Sequence, residues 1–172
     1  MSSVIFLLDR SGSMESCRDD VIGGFNAFVK DQDPGRRLTL IQFDHEYTLS
    51  YENVKMSDVG PLTRDTYKPR GSTALLDSLG NLIKSSDSAP KVVVIFTDGL
   101  ENSSRSYTKA HIKDLIDQKS KDGWTFVYMG ANQDSFAEAG SIGIAAAHTM
   151  SYESSSTPTA LAALSQAVSL IG

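Results

Sequence analysis

Asp9, Ser11 and Ser13 fall at alternate positions directly after the apolar run Val4-Ile5-Phe6-Leu7-Leu8. In extended backbone such positions face one side. A carboxylate and two hydroxyls can therefore converge on one point, with Gly12 allowing the chain to turn tightly between them. One carboxylate among neutral oxygens suits a hard divalent cation such as Mg²⁺ or Mn²⁺ and suits zinc poorly. The same residues would also serve as a polar turn in which Ser and Asp cap a following helix. Two further segments carry related chemistry. Lys91 to Gly99 is a second apolar run that ends in Thr97-Asp98, and Arg70 to Leu76 sets the Thr73 hydroxyl after Gly71 at the mouth of a helix.

With these residues the chain resembles the von Willebrand factor A (vWA) family. The metal-ion-dependent adhesion site of that family combines D-x-S-x-S, a Thr from a later loop and an Asp from a T-D-G segment. The matching residues are Asp9, Ser11, Ser13, Thr73 and Asp98, in the family's order. The resemblance runs from Val4 to the last helix. Ser72 stands where many relatives carry a second Gly, a departure that removes no ligand and bears on the stiffness of the Thr73 loop. The resemblance implies that the serines hold the metal directly, while the aspartates and the Thr alternate between direct and water-mediated contact. It implies a position left for an outside oxygen, an Asp or Glu side chain of a partner protein. Mg²⁺ is the expected cation, with Mn²⁺ or Ca²⁺ as alternatives; Ca²⁺ prefers more carboxylates than this set offers. Arg10, Met14, Tyr67, Arg70, Leu100, Glu101 and Asn102 flank the five and are the expected rim for partner binding.

Enzymatic readings fit less well. A metal-dependent phosphotransferase or hydrolase on a similar sheet would need a second Asp two residues after Asp9, where Ser11 stands. There is no G-x-x-x-x-G-K-[ST] phosphate loop and no G-x-S-x-G elbow. His45, His111 and His148 are tied to no serine by motif. The expectation is a binding module and not an enzyme. A vWA scaffold with a vestigial site is the other alternative, opposed by the intact set of five.

Composition bounds the rest. The chain has 172 residues, 40% hydrophobic and 22% charged, which is enough for one domain with a substantial core; residues 1–172 are expected to form a single vWA domain. A net charge of -5 argues against nucleic-acid binding through a broad basic surface. Cys17 is the sole cysteine, so no internal disulfide can form. No leader pattern precedes the first strand and no apolar run would insert in a membrane, so a cytoplasmic protein is expected. Gly130 to Asp134 resembles stand-alone bacterial or phage members of the family, which favours a microbial source.

The elements that position these residues alternate. Val4 to Asp9 reads as a buried parallel strand, followed by a helix with Val21, Ile22, Phe25, Phe28 and Val29 on one face. Leu38 to Phe43 and Tyr47 to Tyr51 read as an antiparallel pair, and Asn53 to Arg70 as a long polar loop. A helix beginning after Thr73, a strand to Thr97, a helix with Ile112, Leu115 and Ile116, and a strand from Trp124 to Met129 follow. A short helix spans Asp134 to Ala139, a small edge strand is expected within Ile142 to His148, and Thr157-Pro158 opens the last helix. Such alternation implies an α/β three-layer sandwich. The family fold agrees: Rossmann-like, with a mostly parallel central sheet, one antiparallel edge strand and helices on both faces.

Overall fold

Residues apolar on both sides make a central strand, because each face of the sheet must be covered. Val4–Leu8 and Lys91–Thr97 are of this kind, and they form the middle of the sheet. The structure is a computed structural model, and it describes residues 2–97, 101–131, 135–145, 148–152, 157–169 and 171. The strands are β1 (Ser3–Asp9), β2 (Arg37–Phe43), β3 (Tyr47–Lys55), β4 (Lys91–Thr97), β5 (Thr125–Ala131) and β6 (Thr149–Tyr152). The helices are α1 (Arg18–Asp31), α2 (Leu75–Ser85), α3 (Lys109–Lys121), α4 (Ser135–Ser141) and α5 (Thr157–Ser169). The sheet order is β3-β2-β1-β4-β5-β6. All neighbouring strands are parallel except β3, which pairs antiparallel with β2 at one edge.

Alternation along β1 divides the core. Val4, Phe6 and Leu8 pack with Val21, Phe25 and Phe28 of α1 and with Leu164 and Val168 of α5. Ile5 and Leu7 face α2 and α3, through Leu79, Leu82, Ile83, Ile112 and Ile116. Phe6 anchors the first layer: its ring meets Phe25 and Phe28 edge-on at 5.3 and 5.4 Å, pairs worth about 0.5–1.5 kcal/mol each beyond simple burial. The expected α/β three-layer sandwich with one antiparallel edge strand is therefore the observed fold.

Two expectations change. The edge strand anticipated within Ile142–His148 is instead Thr149–Tyr152, parallel to β5. Ile142 and Ile144 are buried where the chain leaves α4, and backbone bonds from both to Ala139 close that turn. The segment from Asn53 to Arg70 is not simply a polar loop. β3 continues to Lys55, a short 3-10 turn follows at Met56–Asp58, and Met56, Leu62 and Tyr67 are buried against the α1 layer.

The strand order reverses between β1 and β4, since β1 leads outward to β2 while β4 leads to β5 on the other side. A crevice opens at the carboxyl ends of the strands flanking such a reversal, and ligands of open α/β sheets bind there. Asp9 ends β1 and Thr97 ends β4.

Candidate metal centre

Asp9 is fully buried at the tip of β1. Its Oδ1 accepts from the Ser11 amide at 2.6 Å, and its Oδ2 accepts from the Thr97 hydroxyl at 2.6 Å. The first bond is the Asx turn that reverses the chain after the strand; the second ties the tips of β1 and β4 together. Beyond the turn, Gly12–Cys17 winds as a 3-10 helix leading into α1. Ser11 is buried, Ser13 is exposed, and their hydroxyl oxygens lie 3.2 Å apart. The two hydroxyls come together through this turn and the 3-10 helix, and not through the extended backbone that the alternate spacing suggests.

Main-chain bonds seat the Thr73 loop beside this turn. The Gly12 amide donates to the Gly71 carbonyl at 3.0 Å, and the Arg70 amide to the Arg10 carbonyl at 2.7 Å. The Tyr67 hydroxyl donates to the Asp9 carbonyl at 2.7 Å. Gly71 has φ +70°, and a Cβ there would lie 2.4 Å from His45 Nδ1, so both backbone conformation and space call for glycine. Thr73 is itself buried. Its amide donates to the Asn102 side-chain oxygen at 2.9 Å, and its carbonyl accepts from the amides of Asn102 and Ser103 at 3.0 and 3.1 Å. Glu101 turns inward and accepts from the Leu76 and Ser104 amides, at 3.4 and 3.2 Å. Asp98 and Leu100 lie outside the described residues.

The expected rim separates into several kinds of residue. Met14 and Tyr67 are not rim residues: both are fully buried, Met14 in the α1 layer and Tyr67 beneath Asp9. Their apolar bodies fill the space under the turn, and no partner can reach them. Arg10 pairs within the chain. Its Nε lies 3.1 Å from Asp44 Oδ2, its Nη2 donates to the Thr48 hydroxyl at 2.8 Å, and its side chain is 14% exposed. Glu101 and Asn102 brace the Thr73 loop. Arg70 remains at the surface, half exposed, with Nε 2.8 Å from Asp44 Oδ2 and Nη2 3.2 Å from Glu46 Oε2. The hydrogen bond and charge of Asp44 hold the Arg70 guanidinium above its ordinary range.

Two residues were not anticipated. Asp44 is fully buried, takes both arginines, accepts from the Glu46 amide at 2.6 Å and offers its carbonyl to the Ala74 amide at 2.8 Å. It joins the β2–β3 turn to both loops of the centre. A carboxylate at a strand end just before a short turn is its trace in the sequence. Thr97 carries the hydroxyl that fixes Asp9; a hydroxyl closing an otherwise apolar strand was its trace in the sequence.

The donor set is oxygen throughout: one buried carboxylate, two serine hydroxyls at 3.2 Å and the neighbouring Thr73. Among the described residues no group of three or more His, Cys, Asp or Glu could hold a metal. Hydroxyls with few carboxylates fit a small hard cation and leave most of its charge unneutralised.

Residues 3–167 match the family model of the von Willebrand factor type A domain. Comparison with curated proteins returns no match. Among solved structures, the chain is similar to proximal thread matrix protein 1 from the mussel byssus with a zinc-occupied MIDAS motif. The TM-score is 0.73 at 15% identity, covering 98% of this chain and 48% of that one. The vWF domain of the type V pili tip protein Mfa5 from Porphyromonas gingivalis gives a TM-score of 0.72 at 13% identity, covering 99% and 96%. The ArnB paralog VWA2 from Sulfolobus acidocaldarius gives 0.68 at 16%, covering 92% and 43%. The chain spans about half the length, or less, of the mussel and Sulfolobus proteins. At these identities the likeness is one of fold. Among the described residues no helix is long and apolar enough to cross a membrane.

Proposed function

The chain belongs to the von Willebrand factor type A family, and on that premise we propose that residues 1–172 form one interaction module whose divalent cation is completed by a partner's carboxylate. Asp9, Ser11, Ser13, Thr73 and Asp98 are the residues proposed to hold the cation, Mg²⁺ in the first instance. The observation that carries the reading is the convergence of the Ser11 and Ser13 hydroxyls, 3.2 Å apart, beside a buried Asp9 whose two oxygens already accept bonds from Ser11 and Thr97.

A carboxylate has about four lone-pair directions, and at least two of those on Asp9 are in use. Asp9 is thereby rigid, and what it can donate is limited. When bound, the cation supplies a strongly electrophilic point that an Asp or Glu of a partner protein satisfies. The protein's part is to hold the hydroxyls in place through the main-chain bonds at Gly12, Arg70 and Thr73. Half-exposed Arg70, paired within the chain to Asp44 and Glu46, is the rim residue proposed to meet the partner. No residue is assigned a catalytic step. The mussel relative with a metal in its MIDAS motif and the pilus tip relative support the reading.

The test is calorimetric titration of chelator-treated protein with Mg²⁺, with and without excess acetate as a stand-in carboxylate, beside Asp9→Ala. One-site binding that acetate tightens and Asp9→Ala removes is the expected result. Binding that Asp9→Ala leaves intact, or that acetate does not affect, overturns the proposal.

A further inference from the structure

Asp44 directly follows β2 and is fully buried. Burying a carboxylate is costly unless charged or hydrogen-bonded partners compensate. All four polar atoms of Asp44 are engaged. Its Oδ2 accepts from Nε of Arg10 at 3.1 Å and from Nε of Arg70 at 2.8 Å, and its Oδ1 accepts from the Glu46 amide at 2.6 Å. Its own amide donates to the Glu46 carbonyl at 3.0 Å, and its carbonyl accepts from the Ala74 amide at 2.8 Å.

These partners bracket the residues proposed to hold the cation. Arg10 stands between Asp9 and Ser11, Ala74 follows Thr73, and Arg70 opens the stretch that leads to Thr73. Main-chain bonds tighten the same junction: the Arg10 amide donates to the Phe43 carbonyl and the Arg70 amide to the Arg10 carbonyl, each at 2.7 Å. Any displacement of Asp44 therefore acts on both loops at once. Charge adds a second effect. Two guanidiniums carried on these loops oppose the binding of a divalent cation, and Asp44 is the buried countercharge they share. With both of them on its Oδ2, Asp44 is itself no seat for the cation.

We propose that Asp44 is a positioning residue of the metal centre, holding the Ser11 and Thr73 loops together and cancelling arginine charge that would otherwise repel the cation. The inference rests on the metal-binding reading above. Its test is Mg²⁺ calorimetry on Asp44→Asn, Arg70→Gln and the double variant, with amide hydrogen exchange of the metal-free proteins. Asp44→Asn is expected to weaken Mg²⁺ binding by about 10–100-fold, the usual effect of losing a group that orients metal ligands. Exchange should quicken at the Gly12, Arg70 and Ala74 amides while those of β1 and β4 keep their protection. Arg70→Gln removes a half-exposed positive charge and spares the main-chain bonds, so it should bind Mg²⁺ about threefold tighter. The double variant should exceed Asp44→Asn by the same factor or more. A purely structural role predicts the opposite order, since the double variant has lost more bonds. Unchanged affinity in Asp44→Asn, a double variant weaker than Asp44→Asn, or faster exchange spread through β1 and β4 would each overturn the proposal. Should Asp44→Asn not fold, Arg70→Gln decides: unchanged or weaker Mg²⁺ binding in it overturns the charge role. No Mg²⁺ binding by the unaltered protein would overturn the metal-binding reading and this inference with it, whereas binding that Asp44→Asn leaves unchanged overturns the role of Asp44 alone.

Discussion

Replacing Gly71 with Ala tests how the Thr73 loop is held. Gly71 has φ +70°, and an alanine there adopts a left-handed conformation at a cost of roughly 1–2 kcal/mol. The reduced freedom of the unfolded chain returns about 0.4–1 kcal/mol. The new Cβ would also stand 2.4 Å from His45 Nδ1 and 2.8 Å from Cε1. Because the His45 side chain is 46% exposed, the ring can swing aside, at an expense typical of a displaced rotamer, about 0.5–1.5 kcal/mol. The net loss is about 1–2 kcal/mol, roughly half of it due to His45. Urea denaturation at neutral pH reads this directly, and the double-mutant cycle with His45→Ala isolates the clash. Gly71→Ala should cost about 1 kcal/mol less in the His45→Ala background than in the parent. Since the Gly71 carbonyl accepts from the Gly12 amide at 3.0 Å, Mg²⁺ affinity should fall in the single variant and recover partly in the double. The same loss in both backgrounds would refute the steric argument, and parental stability in Gly71→Ala would refute the backbone argument as well.

Three further outcomes are expected. Asn26→Ala leaves the Leu62 amide and carbonyl without their clamp and should lower stability by about 2–4 kcal/mol in urea titrations, whereas Asn26→Asp, which keeps the acceptor, should lose about half of that. Thr97→Val removes the hydroxyl bonded to Asp9 Oδ2 at 2.6 Å and should cost about 1–3 kcal/mol, with the Asp9-dependent Mg²⁺ heat changed in the same protein. The hydrogen bond from Lys91 holds the Asp87 carboxyl below its ordinary value. Its contribution is therefore full above the unfolded value of about 4 and is lost as pH falls through the lower folded one. Asp87→Asn should lower the urea midpoint slightly at neutral pH and remove that part of its fall in acid, with no new pH dependence above pH 6.

The parts of the fold legible in the sequence were those with a strong period. β1 and β4 are unbroken apolar runs, and α1 and α2 show one apolar face, so they and the strand-end positions of Asp9 and Thr97 could be read off. The segment from Met56 to Tyr67 hid its structure because its buried residues, Met56, Leu62 and Tyr67, are six and five positions apart, matching neither a helix nor a strand. Tyr67 reads as rim because it precedes Thr73 closely in sequence, whereas in space its ring lies under Asp9. β6 was misplaced since Thr149–Tyr152 is short and mostly polar, and pairing with β5 makes it a strand. Asp44 shows the same limit for charge: its arginines at positions 10 and 70 are far away in sequence, and only the fold brings all three together.

The bonds that join the loops of the centre are largely between main-chain atoms: Gly12 to Gly71, Arg70 to Arg10, Ala74 to Asp44, and Asn102 and Ser103 to Thr73. Main-chain bonds are indifferent to most side-chain replacements. Exposed positions on these loops whose side chains make no bond to buried Asp44, Glu46 among them, can therefore diversify by mutation while the cradle keeps its shape. Lineages, or a selection experiment randomising those positions, can thus explore new recognition properties one substitution at a time without first passing through a broken site.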